Sequence, residues 1–215
     1  MAVITISRQF GAGGKTLGKM VSEKMGYTFA DNDIVHLVAE TANVSPTWVE
    51  SVEKEAGGKM SRIVSSMVSK RLVDRILKSE RGYIDEKIYL DYLVVIIAQI
   101  AEEGDVVILG RGSQYILDDH PDAHHILLIG EFDNRVKFME ENYDLTHNQA
   151  VKVVTNEDKR RLALYRRLGK TDYDQPSLYD LVLNMNRVSM KTALNLVCDL
   201  INSSNSVVLE PKSAA

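Results

Sequence analysis

One cysteine stands in 215 residues, so no disulfide can form within the chain, and a reducing compartment fits. No apolar run approaches the ~20 residues a membrane helix needs. The N-terminus runs into a strand-like stretch without a basic and then apolar leader, which leads to the expectation of a cytoplasmic protein with no membrane partner. There is no basic excess either. The net charge is −4, which argues against a dedicated nucleic-acid binder. No zinc-ligand spacing and no Ser-His-Asp set is present. His124 and His125 are adjacent in a strand-like run, so they face opposite ways and do not make a metal pair.

What the chain does have is a composition of 45% hydrophobic and 26% charged residues, enough to bury the core of one domain. The run "VITIS" (Val3–Ser7) is short and β-branched, as a buried strand should be. "KTLGKMVSEKMG" repeats its apolar residues at a helical period and stops at Gly26. "YTFAD" (Tyr27–Asp31), "VVIL" (Val106–Leu109), "HHILLI" (His124–Ile129) and "SVVL" (Ser206–Leu209) read as further strands. Between Asn32 and Glu103 the pattern is helical with breaks, and "YLDYLVVIIAQIAEEG" is a strongly apolar helix ending at Gly104. Thr146 and Gln149 form a capping-box signature before a long polar helix. Cys198, in "ALNLVCDLI", and Trp48 are expected to pack in the core. Strands alternating with helices predict an α/β fold with a parallel sheet covered on both faces.

The stretch "ISRQFGAGGKTLG" lies between the first strand and the first helix. Such a glycine-rich turn presents free backbone N–H groups and the positive end of the helix dipole, which suits a phosphate. It departs from the P-loop pattern G-x-x-x-x-G-K-[ST]: Gly14, Lys15 and Thr16 supply the end, but Gln9 stands where the first glycine should be. It also fails the dinucleotide fingerprint, because Thr16 stands where the third glycine would be. "DKRRLALYRR" sets five basic residues, Lys159, Arg160, Arg161, Arg166 and Arg167, within nine positions. Lys159 shares a helix face with Arg166, and Arg160 shares one with Arg167. A solvated basic face is the competing reading of this cluster.

Together, "ITISRQFGAGGKTLG", "FADNDIV", "VVILGRGSQYIL", "DKRRLALYRR" and "YDLVLNMNRVS" resemble the cytidylate kinase-like family of P-loop kinases, in the expected order and over nearly the whole chain. The resemblance implies a five-stranded parallel sheet flanked by helices, a helical insertion that binds the nucleoside monophosphate, and a lid. The core would span about 1–31 and 104–210, the insertion about 32–103 and the lid about 155–172. It implies transfer of the terminal phosphate of ATP, with Mg²⁺, to a small acceptor, CMP or dCMP. Arg8, Gly11, Ala12, Gly13, Gly14, Lys15 and Thr16 would hold the donor, with Thr16 on the metal. Asp31, Arg62 and Arg111 would meet the acceptor. Lys15, Asp31, Arg161 and Arg166 would be catalytic, Arg161 matching best the lid arginine that neutralises the transferred phosphoryl group.

Two departures from the family pattern stand out. Aligned on the first strand, the phosphate-gripping lysine of typical cytidylate kinases falls on Gly14, and lysine comes one place later, at Lys15. One residue is about 100° of helix turn, so either Lys15 points elsewhere or the loop has another shape. Leu109 and Gly112 stand where acids flank the Gly-Arg pair. Competing readings accompany the remaining residues. Asp31 and Asp33 also suit a helix cap, Asp33 the better. Arg62, Lys70, Arg71 and Arg75 either reach an acceptor phosphate or decorate an amphipathic helix. Arg187 is expected to pin a loop. An acceptor phosphate oxygen is already ionised near pH 7 and needs no base, whereas a hydroxyl acceptor would need Asp31. A small-molecule hydroxyl kinase and a nucleotide-binding regulator with weakened catalysis are therefore the alternatives.

Overall fold

The computed structural model describes residues 1–31, 34, 36, 37, 86–171 and 173–206. Five strands form one sheet: β1 (Val3–Arg8), β2 (Thr28–Ala30), β3 (Val106–Leu109), β4 (Ala123–Ile129) and β5 (Leu181–Asn184). Their order is β2-β3-β1-β4-β5, and every pairing is parallel. Six helices are described: α1 (Gly14–Met25), α2 (Glu86–Glu103), α3 (Ser113–Ile116), α4 (Phe132–Tyr143), α5 (His147–Arg167) and α6 (Met190–Ser206).

The central strand β1 is buried along almost its whole length, because helices cover both faces. Val3 packs on one face with Val106, Ile108 and the α2 residues Tyr92, Leu93 and Ile97. Ile4 and Ile6 face the other side, among Leu17 and Val21 of α1, Leu109, Ile126, Leu128 and Val197 of α6. The apolar run expected to be a helix is α2, which buries Tyr89, Tyr92, Leu93, Ile96, Ile97 and Ala101 against the sheet and leaves Asp91, Val94, Glu102 and Glu103 exposed. A third cluster, Val136, Met139, Ala150 and Val154, joins α4 to α5. The Thr146 cap is present: its backbone N–H donates to Gln149 Oε1 at 2.9 Å. Cys198 is buried, as expected.

The fifth strand is not where the sequence pattern puts it. Ser206 is the last residue of α6, and 207–209 lie outside the described residues. Leu181–Asn184 pairs instead with β4, in the register Ile126↔Leu181 to Ile129↔Asn184. Being at the sheet edge, β5 needs only one neighbour and only a short apolar run. Arg62, Asp33 and Trp48, along with Lys70, Arg71 and Arg75, also lie outside the described residues. Among the described residues no helix is long and apolar enough to cross a membrane.

Candidate active site

A parallel sheet collects ligands at the carboxyl ends of its strands, and neighbouring strands whose connections leave in opposite directions open a crevice there. β1 and β3 end at such a crevice. A cavity of about 360 Å³ opens there, lined among others by Arg8, Gly11, Gly13, Gly14, Lys15, Thr16, Asp31, Arg111, Arg160 and Arg161. Residues far apart in sequence thus meet in one space.

The loop after β1 turns sharply into α1. Gly13 is the N-cap, held at φ 82° and ψ 14°, a left-handed conformation that favours glycine. The first α1 bond runs from Leu17 N–H to Gly13 O, so the N–H groups of Gly14, Lys15 and Thr16 have no helical acceptor. Those donors make the end of α1 an anion seat. The expected loop residues line the cavity with one exception: Ala12 is buried in the core.

Two side chains brace this loop from α4 and α5. Buried Arg135 donates to Phe10 O at 2.8 Å and to Gly130 O at 3.0 Å, and pairs with Asp158 at 2.8 Å. Asp158 accepts the Phe10 N–H at 3.0 Å. One arginine and one acid thus hold both polar groups of the Phe10 backbone. "DKRR" contains Asp158, but nothing local in sequence names its partner 23 residues away.

Lys15 points across the cavity. Its Nζ pairs with Asp31 Oδ2 at 2.8 Å, with Asp31 only 14% exposed. Arg111 donates from Nη1 to the backbone oxygen of Asp31 at 3.1 Å, tying the ends of β2 and β3 together. Arg111 keeps φ at 57°, a left-handed backbone uncommon outside glycine, and such outliers cluster at functional sites.

Arg161 of α5 forms a two-pronged pair with Asp174, at 2.7 Å and 2.5 Å, and its guanidinium lies over the Tyr165 ring. Burial works against its charge, but the hydrogen bonds and charge of Asp174 outweigh this and raise its pKa. Arg160 pairs with Glu157. The like charges of this helix are therefore offset by acids that the basic pattern alone does not reveal. Lys159 and Arg166 are exposed and do not line the cavity, so the structure does not bring Arg166 to the site.

Phe10, Tyr89, Phe138 and Tyr143 supply aromatic wall. Among the described residues no group of three or more His, Cys, Asp or Glu is placed to hold a metal ion. Magnesium does not need one, because it keeps several waters and takes one or two protein oxygens beside the phosphates. Thr16 and Asp31 line the same cavity and fit that role.

A family model described as the cytidylate kinase-like family matches residues 3–187, and the chain belongs to that family. No curated protein matches the sequence. Among solved structures, an uncharacterized protein from Eubacterium ventriosum is similar at 18% identity and TM-score 0.64, covering 94% of this chain and 99% of its own. The shikimate kinase of Bacteroides thetaiotaomicron is similar at 13% identity and TM-score 0.51, covering 94% and 98%. A gluconokinase from Sinorhizobium meliloti is similar at 11% identity and TM-score 0.50, covering 95% and 96%. The five-stranded parallel sheet flanked by helices is thus the fold of P-loop kinases.

Proposed function

We propose that this member of the cytidylate kinase-like family moves the terminal phosphate of Mg-ATP to a small acceptor, with CMP or dCMP as the acceptor class. One observation carries the reading. The free amides at the start of α1 and the cations Arg8, Lys15, Arg111, Arg160 and Arg161 converge on one cavity. That density of positive charge suits a donor triphosphate and an acceptor phosphate together. Aromatic wall at Phe10, Phe138 and Tyr143 suits a base.

The donor's phosphates would lie on the N–H groups of Gly13 to Thr16. Thr16 and Asp31 would hold magnesium, which when bound neutralises phosphate charge. Arg111, fixed to the end of β2, would orient the acceptor phosphate, and Lys15 would hold Asp31 in place. An ionised oxygen of that phosphate attacks the γ-phosphorus. The bond from the γ-phosphorus to the β–γ bridging oxygen breaks, and ADP leaves with the electron pair. No proton has to be removed, so catalysis rests on positioning and charge neutralisation. The segment 155–172 would act as the lid. Asp174 offers Arg161 two oxygens, as a phosphoryl group does, so closure would hand the fork from one to the other.

Asp31 favours a second reading. It is a nearly buried acid in the cavity, as a hydroxyl acceptor would require. The similar structures include a shikimate kinase and a gluconokinase. A panel separates the two: CMP, dCMP, other nucleoside monophosphates, sugars and hydroxy acids, each with ATP and Mg²⁺, read as ADP formed. CMP or dCMP should raise the rate above the acceptor-free background. A rate seen only with hydroxyl compounds would transfer the conclusion to the second reading. Bound ATP with no turnover on any acceptor would indicate a nucleotide-binding regulator.

A further inference from the structure

The P-loop pattern separates its first glycine from its lysine by six positions. With the lysine position at 14, as alignment on the first strand sets it, the first glycine position is 8. This chain has arginine at 8 and glycine at 14, so the small and the cationic residue have changed places.

The geometry makes that exchange meaningful. A Cβ added to Gly14 would lie 2.9 Å from Arg8 Cγ, 3.1 Å from Cδ and 3.2 Å from Cβ. The stem of Arg8 therefore runs through the space where a side chain at position 14 would begin. Its guanidinium reaches Gly110 at the end of β3, where any side chain would collide with Nη1. Both glycines clear a channel for this one arginine. Arg8 lines the cavity together with Gly13, Gly14 and Thr16 at the start of α1.

The pairing of the other cations sharpens the contrast. Lys15 is held by Asp31 and Arg161 by Asp174. Among the described residues, the Arg8 guanidinium makes no hydrogen bond or ion pair. Burial lowers its pKa, Tyr165 and Asp31 oppose that, and Arg111 and Arg161 add to it. A bound polyanion would relieve this penalty and give the fork its acceptors.

We propose that Arg8 does the work of the P-loop lysine, gripping the β- and γ-phosphates of the donor from the opposite end of the loop. The proposal rests on the phosphotransferase reading and assigns its donor cation.

Calorimetric titration with Mg-ATP and with inorganic tripolyphosphate tests it. The proteins are the wild type, Arg8→Gln, Arg8→Lys and the double variant Arg8→Gly with Gly14→Lys, each checked for a cooperative unfolding transition. Arg8→Gln should weaken both probes by about tenfold or more, the loss of charge-assisted hydrogen bonds. Arg8→Lys should lose less. The double variant, which restores the usual order, should recover most of the affinity. Wild-type affinity in Arg8→Gln, or a folded double variant as weak as Arg8→Gln, would overturn the assignment and leave the phosphate site standing. A wild type that binds neither probe would instead overturn the phosphotransferase reading, and Arg8's role with it.

Discussion

Arg161→Ala is expected to lower turnover by about 10³-fold or more, the low end of what an arginine finger contributes. The side chain lies on α5, lines the cavity and presents a planar fork to Asp174. That fork matches a phosphoryl group as well as a carboxylate, so Arg161→Lys should restore only part of the rate. Arg161→Ala should also lower the unfolding temperature, because Asp174, 19% exposed, loses its partner. A loss of roughly 1–3 kcal/mol is the scale for leaving one such group unsatisfied. Asp174→Asn separates the effects. It breaks the same pair and lowers stability, yet leaves Arg161 available to substrate, so its turnover should fall less. Steady-state rates and melting curves on the three variants measure both quantities. Turnover of Arg161→Ala within about tenfold of wild type, under ~1.4 kcal/mol of barrier, would remove Arg161 from the chemistry.

Gly13→Val is expected to abolish Mg-ATP binding while unfolding remains cooperative. The residue caps α1 at φ 82°, where a β-branched side chain is strongly disfavoured. An added Cβ would also stand 2.6 Å from Met190 Cε. The methionine end can move away, but the backbone cannot relax without turning the α1 amides off the phosphate. The sheet and its two apolar faces are built elsewhere, so the domain should still fold, with a lower midpoint. Saturating Mg-ATP should raise the melting temperature of the wild type and leave that of the variant unmoved, since a ligand stabilises only the state it binds. An equal ligand-induced shift in the variant would remove the loop from donor binding.

Much of this architecture is legible in the residues. Val106–Leu109 is continuously apolar, and Val3–Arg8 and Ala123–Ile129 are rich in apolar and β-branched residues, because these three strands are interior to the sheet and largely buried. The apolar period of α1 and the Thr146 cap are local signals, and both structures form. β5 is different. "LVLN" is short, and "SVVL" has the better strand composition. Pairing with β4 makes Leu181–Asn184 a strand, and no single-segment pattern reports a partner. The site divides the same way. The loop and Arg161 stand out because glycines and clustered arginines are visible in one stretch. Asp174, Glu157 and the Arg135–Asp158 brace do not, since an acid is identified as a partner only by the fold that brings it near. Arg8 illustrates the point most directly. In sequence the resemblance sets it among the donor-holding residues, but only its passage over Gly14 shows how the side chain runs into the site.

Amide hydrogen exchange along the loop, with and without saturating Mg-ATP, tests most directly whether this cavity receives a nucleotide's phosphates. The N–H groups of Gly14, Lys15 and Thr16 lack acceptors within the helix and would gain phosphate oxygens on binding. Exchange at Gly13 to Thr16 should therefore slow with Mg-ATP, and residues 155–171 should gain protection when donor and acceptor are both present. Unchanged exchange at Gly13 to Thr16 under saturating Mg-ATP would contradict the account.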